Sequence, residues 1–444
     1  MRTTSHRAAA ALAAAAAISL IASACTGSND SGANDDASKE TTITFWHGWS
    51  EKNEVKAIQD NIDRFEKAHP NIHVKAVGGI TDEKIDQALR ARGPKSPDVV
   101  SSFTTDNVGK FCSSKAWASL NPFLEKSKID PAKTFPAAMN EYTQFEGNHC
   151  SLPLLGDSFG LYYNKDAFEA AGITAPPKTM SELREVAKKL TKTKGDSYEQ
   201  LGILPNWHNF QWTTTRAAAQ YGATYFDGGK AAMSTNPAFA QMLTDQQKLM
   251  NDLGGFQKLE KFRSTFGDEF GAEHPFHTGQ VAMQFDGEWR EGMATAAGVD
   301  FEIGVAPFPV ADDQADSYGK GYLSGTIIGM ANNSPKKNAA WELIKFMTTD
   351  TEAVVSFSNA IHNVPSTFEA MKSPALEITP NFQVFMDIAA DAGSTTTPAA
   401  VNGGAYQLTL QDFSYDFESG KKTDLAGGLK AVDEQVDKDI EQAR

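Results

Sequence analysis

Short β-rich runs alternate with amphipathic helical periods along this chain, stop, and then begin again with new pieces, which restricts it to an α/β fold with more than one core. Thr42 to Trp46 is β-rich, and Val55, Ile58, Ile62 and Phe65 then recur at helical spacings of three and four until His69-Pro70-Asn71 ends the period. Ile72 to Val77 alternates as a strand does, Asp82 to Arg92 reads as a helix, and Pro97-Asp98 leads into Val99-Val100. Strand, helix, strand, helix, strand predicts a parallel sheet with helices on both faces. The alternation restarts near residue 155: Leu161 to Asn164 as a strand, Ser181 to Leu190 as a helix with Leu183, Val186, Ala187 and Leu190 on one face, and Leu201 to Leu204 as a strand. Val281 to Phe285 and Phe301 to Ala306 are further short strands, Asn338 to Thr348 is a helix behind Ser334-Pro335, and Leu425 to Gln442 carries Leu425, Leu429, Val432, Val436 and Ile440 at helical spacing. The chain has 444 residues, more than one hydrophobic core serves, so two lobes are expected.

The first residues belong to neither lobe. Arg2 and Arg7 precede an apolar run, Ala8 to Ala22, that is shorter than the roughly 20 helical residues a bilayer needs and that closes on Ala22-Ser23-Ala24. Residues 1–24 therefore read as an export signal. Cys25 behind them resembles the lipidated cysteine of the bacterial lipobox, the alternative being ordinary cleavage beside a chance cysteine. Residues 25–40 are rich in Ser, Gly, Asn and Asp and read as a flexible tether. The expected address is the cell membrane, lipid-anchored on the extracellular face, or the periplasm where an outer membrane exists. The net charge of −15 falls to −17 on losing Arg2 and Arg7, which argues against nucleic acid and against a direct hold on anionic lipid. Cys112 and Cys150 remain as an even pair in an oxidising exterior and read as a disulfide. A Cys-His metal site is the rival, but neither a CxxC nor a paired His spacing accompanies them, and no metal or cofactor is expected.

LYYNKDAFEAAGITAPPKTMSEL, from Leu161 to Leu183, resembles a hallmark segment of the extracellular solute-binding proteins of ABC importers, in the branch that binds carbohydrates. ITFWHGWS from Ile43 with FEKAHPNIHV after it, SPDVVSSF from Ser96, HTGQVAMQFDGEW from His277 and GYLSGTIIGMANNSPKKNAAWELIKFM from Gly321 follow in that family's order. The resemblance implies a two-lobed periplasmic-binding-protein-like fold, similar to the maltose-binding relatives, with each lobe a mixed, mostly parallel sheet flanked by helices and a ligand cleft between them. Lobe 1 is expected over 41–154 plus about 307–360, and lobe 2 over 155–306 plus about 361–444, with crossings near Leu152 to Gly156 and Pro307 to Pro309. On their own chemistry, Asn164, Lys165 and Pro177 of the hallmark segment read as fold-making residues: a strand end, a helix start and a break before a helix that Thr179 or Ser181 caps.

A sugar offers rows of hydroxyls with C–H faces between them, so its site needs rings to stack on and carboxylates, amides or His to fix hydrogen bonds. Trp46, His47 and Trp49 follow the first strand, with burial in the core as the competing reading. Asp106 follows the Val99 to Phe103 strand, where a solvated loop carboxylate is the competing reading. Asp157 stands seven residues before Asn164, where the maltose-binding relatives carry a sugar-contacting acid. Asn206 to Trp212 includes Trp207, His208 and Trp212 in a loop without apolar period, and reads as a cleft wall. Trp289 of FDGEW stands where the family has a stacking tryptophan, with Asp286 and Glu288 beside it, the competing reading being a tryptophan packed at a helix start. Tyr322 and Tyr406 lie in glycine-bearing loops that let backbone approach a ligand.

The expected function is a monomeric, lipid-anchored receptor that catalyses nothing, captures a sugar or oligosaccharide between its lobes and hands it to the permease subunits of an importer. A receptor for a phosphorylated polyol such as a glycerol phosphodiester is the alternative, with Arg216 and Arg290 as available cations. An exported glycoside hydrolase is a further one, since paired carboxylates such as Asp157 and Glu288 near tryptophans are also its equipment. No GxSxG, HExxH or triad-like motif supports a hydrolase, and His274 and His277, at HxxH spacing around Pro275, lack further ligands for a metal.

Overall fold

The structure, a computed structural model, describes residues 39–91, 96–205 and 211–444. The signal, Cys25, nearly all of the tether, Arg92, Trp207 and His208 lie outside the described residues.

Ten strands form one sheet among the described residues: β1 (Thr41–Trp46), β2 (Ile72–Val77), β3 (Val99–Ser102), β4 (Leu152–Asn164), β5 (Lys192–Lys194), β6 (Ser197–Ile203), β7 (Val281–Gly287), β8 (Ile303–Ala306), β9 (Leu323–Met330) and β10 (Val364–Pro365). They run in the order β2-β1-β3-β9-β4-β7-β6-β5, with β8 and β10 also paired to β4. β1 pairs in parallel with β2 and β3, as strand-helix-strand connections require, and β7 pairs in parallel with β6. β4, buried on both faces over 13 residues, takes antiparallel partners: Ile328 of β9 opposite Leu152, Phe285 of β7 opposite Leu161, and Val364 of β10 opposite Gly156.

The helices used below are α1 (Lys52–Ala68), α2 (Asp82–Ala91), α3 (Asn107–Ser113), α4 (Met180–Leu190), α5 (Thr214–Ala219), α6 (Arg290–Ala297), α7 (Lys337–Thr349), α8 (Thr351–Ile361), α9 (Pro380–Ala390), α10 (Ala405–Glu418) and α11 (Leu425–Ala443). Ile58, Ile62 and Phe65 of α1 are buried as their spacing predicts, and Glu51 and Glu54 close the helix start with a capping box. Thr179, not Ser181, caps α4, its side chain accepting from the Glu182 amide. Asn164 caps the short helix behind β4 through a 2.8 Å bond from the Ala167 amide, which is the fold-making duty expected of it.

Two hydrophobic clusters flank the sheet. One joins β1, β3, α1, α7 and α8 through Phe45, Phe65, Val99, Trp341 and Phe357. The other joins β6, β7, α4, α10 and α11 through Leu183, Leu201, Phe285, Leu410 and Val436. Membership changes from Tyr322 in the second cluster to Leu323 in the first, at the start of β9 and not at Pro307 to Pro309, because Phe308 and Ala311 still pack in the second. α9 also packs on the first cluster through Phe382 and Phe385, so the chain crosses once more between α9 and α10. Cys112 and Cys150 form a disulfide with Cα atoms 5.7 Å apart, tying α3 to the start of β4.

Candidate ligand cleft

A cavity of about 500 Å³ lies between the two clusters. From the first side it is lined by the loop Phe103 to Asp106 and by Asn107 and Lys110 of α3, directly beyond the carboxyl end of β3. From the second come Thr213 and Arg216 at the start of α5, Tyr322 and Ser324 at β9, and Asn402 with Gln407 and Leu408 around the start of α10. Ligands of open α/β sheets sit beyond strand carboxyl ends, where helices begin, and the cavity has that position. Gln407 Nε2 donates to Asp106 Oδ1 at 2.6 Å and so ties the two sides together. Burial pushes the Asp106 carboxyl up, while that bond and one from Thr104 pull it back. Two apolar side chains stay open to the cavity from opposite sides, Phe103 at 48% and Leu408 at 63% exposure.

Arg216 forms part of the wall with its guanidinium laid over the Phe159 ring, 4.1 Å from the centroid. Its Nη1 donates to the Gln211 carbonyl at 2.8 Å and also to the Gln211 side-chain oxygen. Burial lowers its pKa, and Tyr322 and the carboxylates of Asp157 and Asp286 oppose that. Behind this wall one amide joins two carboxyls: Asn363 Nδ2 donates to Asp157 Oδ1 at 2.8 Å and to Glu288 Oε1 at 2.9 Å. The Ser158 amide donates to Glu288 Oε2 at 2.9 Å. Burial raises the Asp157 carboxyl to about 6, against the pull of Arg216, Asn363 and Ser324. Glu288 is held well above the ordinary carboxyl range, first by burial and then by the charge of Asp157. Glu288 is 1% exposed and occupied by backbone and Asn363, so this pair has no free acid positioned to straddle a glycosidic bond.

Of the residues proposed from sequence, Asp106 and Tyr322 line the cavity, and Asp157 meets it through Ser324 and Arg216. Of the others, Trp207 and His208 lie outside the described residues, and the rest are engaged in packing or internal bonds. Trp49 is buried edge-on between Phe103, at 5.0 Å, and Phe357, at 5.1 Å, so the ring that reaches the cavity is Phe103 in front of it. Trp46 packs half-buried against the first cluster, and His47 is buried with its pKa lowered to about 4 by desolvation. Trp212 is buried against Phe308, ring centroids 5.0 Å apart. Asp286 is paired with Arg290 out of solvent, Nε to Oδ2 2.7 Å. Trp289, half-buried, stands perpendicular to Phe159 at 5.6 Å and covers Gly287, where a Cβ would lie 2.3 Å from its ring. Tyr406 is buried and donates to the Pro398 carbonyl at 2.8 Å. These correct the expectation of open binding groups at Trp49, Trp212, Asp286, Glu288 and Tyr406. Sequence reasoning missed Phe103, Gln407 and Leu408. Leu408 had a signal, an apolar side chain out of step with the buried Tyr406, Leu410 and Phe413 of α10.

Among the described residues no helix is long and apolar enough to cross a membrane, and no group of three His, Cys, Asp or Glu is placed to hold a metal ion. The sequence matches the profile of the bacterial extracellular solute-binding protein family over residues 48–354. It is 23% identical over 343 residues to the maltotriose-binding protein of Pyrococcus abyssi, covering 76% of this chain and 69% of that one. It is 25% identical over 299 residues to the sn-glycerol-3-phosphate-binding periplasmic protein UgpB of Brucella suis, covering 65% and 67%. The structure superposes on CpMnBP1 with mannotriose bound at a TM-score of 0.75 and 26% identity, covering 89% of this chain and 99% of that one.

Proposed function

The chain belongs to the bacterial extracellular solute-binding proteins, and from that membership we propose that it is the receptor of an ABC importer, taking a sugar or oligosaccharide into the cleft and presenting it to the permease. The observation that carries this reading is the cavity itself: hydroxyls and amides of Thr213, Ser324, Asn402 and Gln407, with Phe103 as an open ring face, are the donors, acceptors and stacking surface that a neutral polyhydroxyl ligand uses. Two lobes close about β4, β9 and β10, and ligand shifts the balance between open and closed forms by its differential affinity for them. Asp106, Tyr322, Arg216 and, through it, Asp157 hold the ligand. The protein catalyses nothing, since ATP hydrolysis belongs to another subunit. Cys25 carries the lipid, residues 25–40 are the leash, and the receptor acts as a monomer.

Thermal unfolding in the presence of mono- and oligosaccharides and of glycerol phosphodiesters tests this. A ligand at one hundred times its Kd adds about 2.7 kcal/mol and raises the midpoint by a few degrees. A shift with one sugar class, and no consumption of that sugar, is expected; a sugar that disappears makes the protein a hydrolase, and a response to glycerol phosphodiesters alone makes it a phosphorylated-polyol receptor. Arg216→Ala is expected to weaken sugar binding about tenfold or more, the loss of a charge-assisted hydrogen bond, and also to lower the unfolding midpoint without ligand, because the guanidinium stacks on Phe159 and bonds Gln211. Titration calorimetry with unaltered affinity would remove Arg216 from the site.

A further inference from the structure

Beside the cleft cavity lies another, of about 790 Å³, and the two share Lys110 and Asn402. They follow each other along α3: the first touches the loop before the helix and its opening residue Asn107, the second touches Cys112, Ser113 and Ser114 at its end. Seven residues at about 1.5 Å each make α3 about 10 Å long, so the joint trough is longer than one pyranose ring fills.

Asn402 stands at the junction. Its Nδ2 and Oδ1 are both shielded from solvent and make no hydrogen bond. An unsatisfied buried polar group costs about 1–3 kcal/mol, a cost that Asn402 sheds by turning its amide into the cavity, where a donor beside an acceptor is matched by adjacent sugar hydroxyls. The rest of the second cavity has the same chemistry. Phe145 contributes a half-buried ring, Ser113 and Ser114 contribute hydroxyls, and Lys110 Nζ and Arg90 Nε are both engaged by Asp86, at 3.0 Å and 2.8 Å, with Glu146 and Arg444 as the other charged members of the lining. Paired charges beside an aromatic ring suit a neutral hydroxylated ligand better than an anion.

We propose that this second cavity is a further glycosyl subsite: the bound chain passes Asn402 and lays a ring against Phe145, so the receptor selects oligosaccharides longer than a disaccharide. The inference rests on the carbohydrate reading above. Titration calorimetry of the full chain with malto- and manno-oligosaccharides, from disaccharide to pentasaccharide, tests it. Affinity is expected to rise about tenfold beyond the disaccharide, and the ratio of long-chain to short-chain affinity is expected to fall to about one in Phe145→Ala. Ser113→Trp, which fills the cavity from an exposed position without touching the core, is expected to do the same and guards against a folding defect in the Phe145 variant. Equal affinity at every length in the wild type, or a ratio that survives both substitutions, overturns the subsite. Binding by no member of either series overturns the carbohydrate reading and the subsite with it.

Discussion

Asp286→Asn is expected to cost about 3–5 kcal/mol of folding stability, although the two side chains have nearly the same shape. Asp286 and Arg290 are each 0% exposed and meet at 2.7 Å, and neither Nη1 nor Nη2 of Arg290 makes a hydrogen bond. A guanidinium does not shed its proton, so removing the carboxylate leaves a buried cation with no ion-pair partner. The amide's one oxygen keeps the bond from the Gly287 backbone, as Asp286 Oδ1 does at 2.8 Å, so the turn after β7 survives, while its NH2 now faces Arg290 Nε donor to donor, and the loss combines the ion pair with that hydrogen bond. Urea unfolding followed by circular dichroism measures it. The double variant Asp286→Leu, Arg290→Met is expected to recover most of the loss, since apolar pairs of similar volume replace buried ion pairs at little cost. A single variant within about 1 kcal/mol of wild type would mean that solvent reaches Arg290 in the folded protein.

That ion pair also shows why the fold was more legible in the sequence than the site. Ile58, Ile62 and Phe65, Leu183 and Leu190, and Leu429, Val432 and Val436 bury at the spacings that predicted them, because period follows from backbone geometry within one element. Whether a tryptophan lines a cleft or fills a core depends on neighbours hundreds of residues away. Trp49 is closed over by Phe103 and by Phe357 from α8, and nothing local to HGWS announces either contact. FDGEW reads as a cluster of polar binding groups, yet Asp286 turns inward to Arg290 and Glu288 to the Ser158 amide and Asn363, leaving Trp289 as the half-exposed member. Asp157 was found because a resemblance pointed to it. Its coupling to Asn363, from the segment between α8 and β10, is a tertiary fact with no signature in the chain.

Stability is expected to fall as pH rises from 5 to 8, by about 3–4 kcal/mol from Glu418 alone. Glu418 is buried on α10, where desolvation raises its carboxyl from the ordinary 4.5 to about 8, against a hydrogen bond from Gln246 and with some help from the charge of Glu260. Between those two values the folded protein keeps a proton that the unfolded chain has released. Each pH unit in that window therefore removes about 1.4 kcal/mol, and the full contribution is present only below the unfolded value. Asp157, raised to about 6, and Glu288, held well above the ordinary carboxyl range, act in the same direction at the back of the cleft, so no opposing carboxyl in that network restores the balance. Glu418→Gln keeps the shape and the hydrogen-bonding amide but has no proton to lose. It is expected to match wild type near pH 4.5 and to exceed it by several kcal/mol at pH 8, with urea midpoints across this range as the readout. Parallel pH profiles for the two proteins would show that Glu418 is hydrated in the folded state, and the fall in stability would then have to come from the Asp157 and Glu288 pair behind the cleft wall.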